Sequence, residues 1–368
     1  LTEGGSVENV WISDDGQYVA FIRDANLWVV GSDGSNERQL TTGEEFQNLD
    51  LGEDLGPIWT GIQLINVAWR PGSHELYYKT SPQLEGPGLV LSNDLWMIDV
   101  DSGEVSMILP PGEGGRFYFS PDGRKLAVVT PGRIDLMAPD GSSRREAFTH
   151  TPVITHSEFE YYAQPVWAAD SGSLRVTIPP IDFLAPAINP TSIWYIPVED
   201  QPAHLIGEII THSGGAKPPS FAPDFSRVAY MIGDQPEDRE VNNQIGIGIS
   251  EMSASVIWEP VVYEEEIRNT YGWSPDGLRF LVSIPAADVA EIVMGQPGFE
   301  PMVSSQDLPI INLTWTDNFR FLYDQVIDNV WYIFLVNADR SEHDLIDSGV
   351  HVPGSYAFTW VQLDTYEN

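Results

Sequence analysis

The sequence predicts an all-β protein, a seven-bladed β-propeller of four-stranded antiparallel blades, with eight blades as the rival count. Three observations carry that expectation. First, FYFSPDGRKLAVV (117–129) recurs as YGWSPDGLRFLVS (271–283) and, more loosely, as NVWISDDGQYVAF, VAWRPGSHELYY, PVWAADSGSLRVT, PSFAPDFSRVAYM and LTWTDNFRFLYD. Second, each copy keeps an aromatic at one register: Trp11, Trp69, Phe119, Trp167, Phe221, Trp273 and Trp315, spaced 42 to 58 residues apart. Third, several copies are followed by a second hairpin. Self-similarity at this period with short alternating strands is how a propeller reads in sequence.

Each element has a local reason. In Ser120-Pro121-Asp122-Gly123 proline presets φ for a turn, aspartate accepts from the turn's own backbone, and glycine takes the positive-φ position. The run that follows, 125–130, is apolar and β-branched enough for a mostly buried strand. The second hairpins are LWVVGSDGSNERQLT (27–41), LWMIDVDSGEVSMIL (95–109) and IDLMAPDGSSRREAF (134–148). Asp33-Gly34, Ser102-Gly103 and Asp140-Gly141 sit where their turns belong. One unit therefore reads strand, SPDG turn, strand, variable loop, strand, DG turn, strand. Trp360 in SYAFTWV continues the period, and 355–368 is expected to be a closing strand and tail of a single domain over 1–368.

Composition narrows function. Acidic residues outnumber basic ones 54 to 18, a net charge of −36, and only Lys79, Lys125 and Lys217 are lysines. Phosphate-tracking nucleic-acid binding and docking on anionic lipid would work against that field. The longest clean apolar run, VWYIFLV (330–336), is far below the ~20 residues of a membrane helix, so no membrane insertion is expected. There is no cysteine, which removes thiol nucleophiles, thiolate metal sites and disulfides. Such a surface predicts an extracytoplasmic setting: secreted, periplasmic or cell-surface.

The pairing of aromatic-S-P-D-G-x-x-(L/V)-A with an LW-(V/M)-(V/I)-x-x-x-D-G-S hairpin resembles the TolB-like, WD-like repeat propellers, a family related to the N-terminal propeller of dipeptidyl peptidase IV-type enzymes. The resemblance runs over essentially the whole chain, and 119–123 and 273–277 match the motif in full. It implies a propeller that binds proteins, peptides or glycans.

In such a blade the loops entering the first strand and those joining the second to the third share one end, and the long segments fall there: 44–66, 81–93, 150–164, 179–191, 233–243, 260–269 and 285–312. Long loops gathered on a rigid scaffold are where binding is usually placed. Within them HSEFEYY brings His156, Glu158, Glu160, Tyr161 and Tyr162 together, two carboxylates beside two phenols, suited to an ammonium group, a sugar or a cation. VVYEEEI, with Glu264, Glu265 and Glu266, resembles the paired-glutamate segment by which dipeptidyl peptidase IV propellers hold substrate amino termini, although it stands closer to its anchor Trp273. Glu44, Glu45, Asp50, Glu53 and Asp54 with Trp59 form an acidic loop whose oxygens suit calcium, without an EF-hand pattern; no other cofactor is expected.

Neither a G-x-S-x-G elbow nor an H-E-x-x-H pair occurs. For an enzyme, His150, His156, Glu158 and Glu160 are the candidate acid–base groups. The reading that follows is a non-catalytic protein-binding or assembly module working through its acidic long-loop face. Its partner would be another protein or a cationic or polyhydroxylated ligand. The alternative is a propeller enzyme, a glycan or peptide hydrolase or lyase, using carboxylates at the channel mouth.

Overall fold

The computed structural model describes residues 7–43, 59–84, 92–157, 159–185, 189–211, 218–232, 247–253, 255–263, 269–284, 287–293, 302–303, 310–328, 330–337 and 343–350. Among them there is no helix, and the strands form seven four-stranded antiparallel sheets in which sequence neighbours pair. This is the strand arrangement of β-propeller blades. Numbered in chain order, the blades span 7–39, 59–109, 116–149, 166–209, 220–263, 269–303 and 310–350. They divide between two compact units, Leu1–Thr149 with Pro353–Asn368, and His150–Val352. Blades 1 to 3 belong to the first unit and blades 4 to 7 to the second. The expected closing strand over 355–368 lies outside the described residues.

Apart from Trp11, one residue before the end of Val7–Ile12, the aromatic anchors end the first strand of their blades, as in Trp59–Trp69, Arg116–Phe119 and Asn269–Trp273. A four-stranded sheet must cover its faces, and here neighbouring blades do so for each other. One buried cluster joins Ala20, Leu27 and Val29 of blade 1 to Leu76, Tyr78 and Ile98 of blade 2. Another joins Tyr77 and Leu95 to Phe117, Leu126 and Val128 of blade 3. In the second unit Ala229 and Ile249 pack on Trp273 and Phe280, and Leu281 packs on Phe321 and Tyr323. Each such large side chain contributes about 1.5–3 kcal/mol on burial.

Three anchors add a directional bond. The indole Nε1 of Trp69 donates to the Trp11 carbonyl at 3.1 Å, that of Trp273 to Ser220 at 3.0 Å, and that of Trp315 to Gly272 at 3.3 Å. In every case the acceptor lies on the first strand of the preceding blade, at its anchor or one residue before it.

The SPDG turns are built as expected. Ser120 Oγ donates to Asp122 Oδ1 at 2.7 Å, Asp122 Oδ1 accepts the Arg124 amide at 3.1 Å, and Gly123 adopts φ 66°. Ser274, Asp276 and Gly277 repeat this geometry (2.6 Å, 3.0 Å, φ 67°). So does the divergent Ser13-Asp14-Asp15-Gly16, with Ser13 bonded to Asp15 at 2.7 Å and Gly16 at φ 67°. All three serines are fully buried.

Guanidinium groups tie three of the turns to the next blade. Arg70 Nε donates to the Gly123 carbonyl at 2.8 Å, Arg227 to Gly277 at 3.0 Å, and Arg279 to Asn318. Gly123 is required twice over, since a Cβ there would also stand 2.3 Å from the Pro71 carbonyl oxygen. In blade 5 the turn is Ala222-Pro223-Asp224-Phe225, and phenylalanine holds the left-handed φ of 58°. The strain is met by a different staple. Arg175 of blade 4 lies between the rings of Tyr195 (4.3 Å) and Phe225 (4.7 Å), a cation–π sandwich. Burial draws the Arg175 pKa down to about 10.

Blades 1 and 2 are further latched by His74, whose Nε2 meets Asp15 at 2.9 Å and whose Nδ1 meets Asp101 at 2.8 Å. Asp101 also accepts the Tyr18 hydroxyl at 2.9 Å, and the Tyr18 ring stands edge-on to His74. The segment 99–103, half resembling a calcium loop in sequence, is thus a hairpin turn, with Ser102 bonded to Asp99 Oδ1.

The bond to Asp15 raises the His74 pKa; burial opposes this and Asp101 reinforces it. For Asp15, burial works against ionisation but the bonds from His74 and Ser13 outweigh it; for Asp101 the His74 bond leads, so both carboxyls are lowered.

Two outcomes follow. Asp122→Ala should lower unfolding free energy by about 1 kcal/mol in chemical denaturation, since it removes the turn's internal acceptor. For the latch, a raised histidine pKa stabilises fully below its unfolded value of 6.5 and is lost as pH rises through the folded value. The lowered carboxylates stabilise above 3.8 and fade below it. The melting-temperature gap between the parent and His74→Gln should therefore be widest near pH 5 to 6 and close on going to alkaline pH. A gap that is flat from pH 5 to 9 would remove the imidazolium from the account.

Candidate functional site

In a four-stranded meander, tight turns join strands one to two and three to four at one end of the sheet. The connection entering strand one and the one joining two to three lie at the other. Blade 4 has both of its loop-end connections well described, 150–165 and 179–190 apart from 158 and 186–188. They pair with each other. The Ile154 amide donates to the Ile181 carbonyl at 2.6 Å, the Phe183 amide donates to the Ile154 carbonyl at 3.0 Å, and Ile154 bridges Asp182 in parallel. Two loops so joined form a platform that neither would hold alone.

Asp182 organises it. Its Oδ1 accepts the Leu184 amide at 2.9 Å, closing a turn, and meets His156 Nε2 at 2.7 Å. That bond from His156 is the main cause that holds the Asp182 carboxyl below the ordinary range, with the Leu184 amide second. His156 sits at φ 58°, a left-handed conformation that histidine tolerates better than most residues. Thr155 Oγ1 donates to the Phe159 carbonyl at 2.5 Å and the Phe159 amide to Ser157 Oγ at 3.2 Å, so the bend is bonded internally on both sides of His156.

The expected residues separate into distinct roles. His156 and Glu160 are exposed, as a contact site requires. Tyr162 is buried, and its hydroxyl donates to Glu160 at 3.4 Å, so it props the carboxylate instead of presenting a phenol. Tyr161 is half-buried with its hydroxyl on the Thr177 carbonyl at 3.2 Å. The expectation of two phenols beside two carboxylates is thereby revised, because the aromatic rings fasten the loop to the blade. His150 is half-buried, stands edge-on to Tyr161 and bonds Thr151 through Nδ1; burial lowers its pKa.

Glu158, Glu264, Glu265 and Glu266 lie outside the described residues, as does the loop 44–58. Trp59 opens the first strand of blade 2, and its side chain is also outside the description.

Sequence reasoning missed the apolar half of this surface. Ile154, Phe159, Ile181 and Leu184 are each more than half exposed, Leu184 at 66%. Four large exposed apolar side chains on two paired loops form a patch, whereas scattered ones need no explanation. The available signal was IDFLAP (181–186), too apolar for a solvated loop.

Blade 2 carries a second polar group toward its loop end. Buried Lys79 donates to Asn93 Oδ1 at 3.2 Å, and buried Asp94 accepts the Thr80 amide at 2.9 Å and Trp96 Nε1 at 2.8 Å. Burial draws the Lys79 pKa down to about 8, against the pull of Asp94. These bonds, made inside the blade, brace the loop between strands two and three. Among the described residues no three His, Asp or Glu side chains converge as a metal site would need.

No protein-family model and no curated protein matches the chain. Solved structures do. The dipeptidyl peptidase 4 of Porphyromonas gingivalis is similar with a TM-score of 0.60 and 13% identity, over 92% of this chain and 52% of that one. An oligogalacturonate lyase in complex with manganese is similar with a TM-score of 0.51 and 11% identity, over 92% of this chain and 84% of that one. A eukaryotic initiation factor is similar with a TM-score of 0.51 and 8% identity, over 95% and 90%. The chain spans about half the length of the peptidase. At such identities the likeness establishes the propeller fold and leaves activity to the site.

Replacing Asp182 by alanine should speed amide hydrogen exchange at Ile154, Phe183 and Leu184 while the blade strands 173–178 and 191–197 keep their protection. Equal exchange in parent and variant would show that the two loops hold together without it.

Proposed function

We propose that this chain is a seven-bladed propeller of the TolB-like, WD-like kind that acts outside the cytoplasm as a non-catalytic protein-binding or assembly module, through its acidic long-loop face. The observation that carries this reading is the platform of blade 4. Exposed Ile154, Phe159, Ile181 and Leu184 sit beside exposed Glu160 and the His156–Asp182 pair. Interface cores combine apolar anchors with a polar rim. A carboxylate rim on a chain of net charge −36 selects a partner presenting basic and apolar groups together. Glu158 and Glu264 to Glu266 extend the acidic rim in sequence, and Trp59 belongs to the same loop end of blade 2. A calcium ion on the 44–54 carboxylates is compatible with this role and is not needed for it.

One observation favours a second reading, a propeller enzyme acting on a glycan or peptide. Exposed His156 is oriented by a carboxylate with Glu160 on the same loop, an arrangement general acid–base chemistry uses. The peptidase and lyase among the similar structures are of this class.

The test is recovery of co-purifying protein from the native source. Two variants are compared with the parent: Glu158, Glu160 and Glu264 to Glu266 replaced together by glutamine, and Ile154→Ser with Leu184→Ser. Both should retain the parent's melting temperature and recover at least about tenfold less partner, the effect of losing interface anchors. Recovery should also fall between 0.1 M and 1 M salt, as the Debye length shrinks from ~10 Å to ~3 Å. Full recovery by both variants would overturn the binding role of this face, and hydrolysis or elimination of a glycan or peptide that is lost in His156→Ala would establish the enzymatic one.

A further inference from the structure

Blade 5 ends in a short outer strand. Val261–Tyr263 is three residues long and pairs on one side only, with Ile247–Glu251, in the register Ile247↔Tyr263, Gly248↔Val262 and Ile249↔Val261. Its free side carries unpaired backbone groups, the standing hazard of an edge strand. Native edges are blunted by charges within the strand, and the outer strand of blade 3, Arg145–Thr149, has Arg145 and Glu146 there. The blade 5 edge is short and, like the outer strand of blade 2, Val105–Leu109, has no charge within the strand. Successive side chains of a strand point to opposite faces, and Val261 and Val262 are exposed at 53% and 45%, so both faces of this edge are bare and apolar.

The edge is also held rigid and given an aromatic anchor. Residues 251–258 form a tight hairpin, with Met252 bridged to Ile257, the Ser253 amide on the Val256 carbonyl at 2.9 Å and the Trp258 amide on the Glu251 carbonyl at 3.0 Å. Ile257 packs into the buried cluster of blades 4 and 5 and fills the space above Gly207, where a Cβ would stand 3.1 Å from it. With Ile257 locked inward, Trp258 is left 58% exposed and Val256 41%. Trp11, Trp69, Trp96, Trp273 and Trp315 pack into the blade clusters, whereas Trp258 stands out from the surface. Glu251 and Glu259 are exposed around it, and Glu264 to Glu266 follow the strand in sequence.

From this juxtaposition we propose that the outer edge of blade 5 receives an extended segment of a partner protein as a fifth strand, main chain to main chain along Val261–Tyr263. The segment sets an apolar residue on each face, beside Val261 and beside Val262, and carries basic residues on either side of these, which meet exposed Glu251 and Glu259. Strand addition draws affinity from the ladder and specificity from alternate side chains. The charge pattern excludes a second copy as occupant, since like acidic rims would face each other. This surface is separate from the blade 4 loop platform and does not rest on it.

The experiment titrates the whole chain with a fluorescein-labelled peptide of consecutive valines flanked by lysines, read by fluorescence anisotropy. A second peptide carries N-methyl groups on every other amide, removing the ladder donors on one edge. A third carries them on the intervening amides and so blocks the opposite edge. Expected is saturable binding of the parent peptide, at least about tenfold weaker binding by one of the two methylated forms, and at least about tenfold weaker binding to Val262→Lys.

Trp258→Ser should weaken binding comparably without touching the strand, so a failure of Val262→Lys to fold leaves the proposal open to refutation. Equal affinity for all three peptides would reduce the interaction to charge and overturn strand addition. Absence of saturation with the unmodified peptide would overturn it as well. So would concentration-dependent dimerisation of the parent, seen by sedimentation velocity and abolished by Val262→Lys, because a second copy would then be the occupant. Loss of binding in the loop-platform variant Ile154→Ser with Leu184→Ser, with Trp258→Ser unaffected, would assign the peptide to the other face.

Discussion

The indole-to-carbonyl bond between first strands is the contact on which the rest of the described architecture depends. A single four-stranded sheet with two apolar faces is unstable in water, so each blade is completed only by its neighbours. Apolar packing supplies most of the free energy but is tolerant of sliding. The bond from Trp69 to Trp11, repeated from Trp273 to Ser220 and from Trp315 to Gly272, fixes the offset between successive first strands. Once that offset is fixed, the turns of adjacent blades fall within reach of Arg70, Arg227 and Arg279, and the stapling of one turn to the next follows. The anchor register seen in the sequence is therefore a set of hydrogen-bond donors as well as a hydrophobic pattern.

Much of the fold was legible because it rests on local chemistry. The Ser-x-Asp-Gly turns bond within themselves, so four residues suffice to specify them, and the divergent 13–16 copy obeys the same rule with aspartate where proline stands elsewhere. The DG hairpins were legible for the same reason, Gly34, Gly103 and Gly141 all taking positive φ. The candidate site was legible only in its position and its charge. That Asp182 meets His156, and that Ile154 bridges Asp182, depends on two segments separated by a whole strand pair, and nothing in either segment names the other. Tyr161 and Tyr162 misled in an instructive way: as residue types they suit a ligand, and only burial shows that they bind the loop to its blade.

The two ends of the blades are built for opposite purposes. At the turn end, carboxylates are consumed internally: Asp15 and Asp101 clasp His74, Asp122 and Asp276 close their own turns, and Asp317 accepts the Phe319 and Arg320 amides. A carboxylate so engaged adds rigidity and offers little to a partner. At the loop end of blade 4, Glu160 and the outer lone pairs of Asp182 remain exposed beside apolar side chains. The acidity of the described residues is thus divided, with the turns absorbing one share into structure and the blade 4 loops presenting another.

The departures from the repeat locate function more sharply than the repeat itself. Where a copy loses a consensus feature and the structure replaces it with an equivalent, as Arg175 and Phe225 replace the guanidinium–carbonyl staple, the change is neutral for the blade and marks no site. Where a copy departs without such replacement, the departure carries a cost that packing does not explain. Exposed Trp258 and the bare edge at Val261 and Val262 are departures of that second kind, as are Phe159 and Leu184 on the paired loops of blade 4. Selection for solubility alone would put charge at these positions, and the chain has acidic residues in abundance to supply it. Their retention as apolar groups within acidic surroundings is best accounted for by contact with something that buries them.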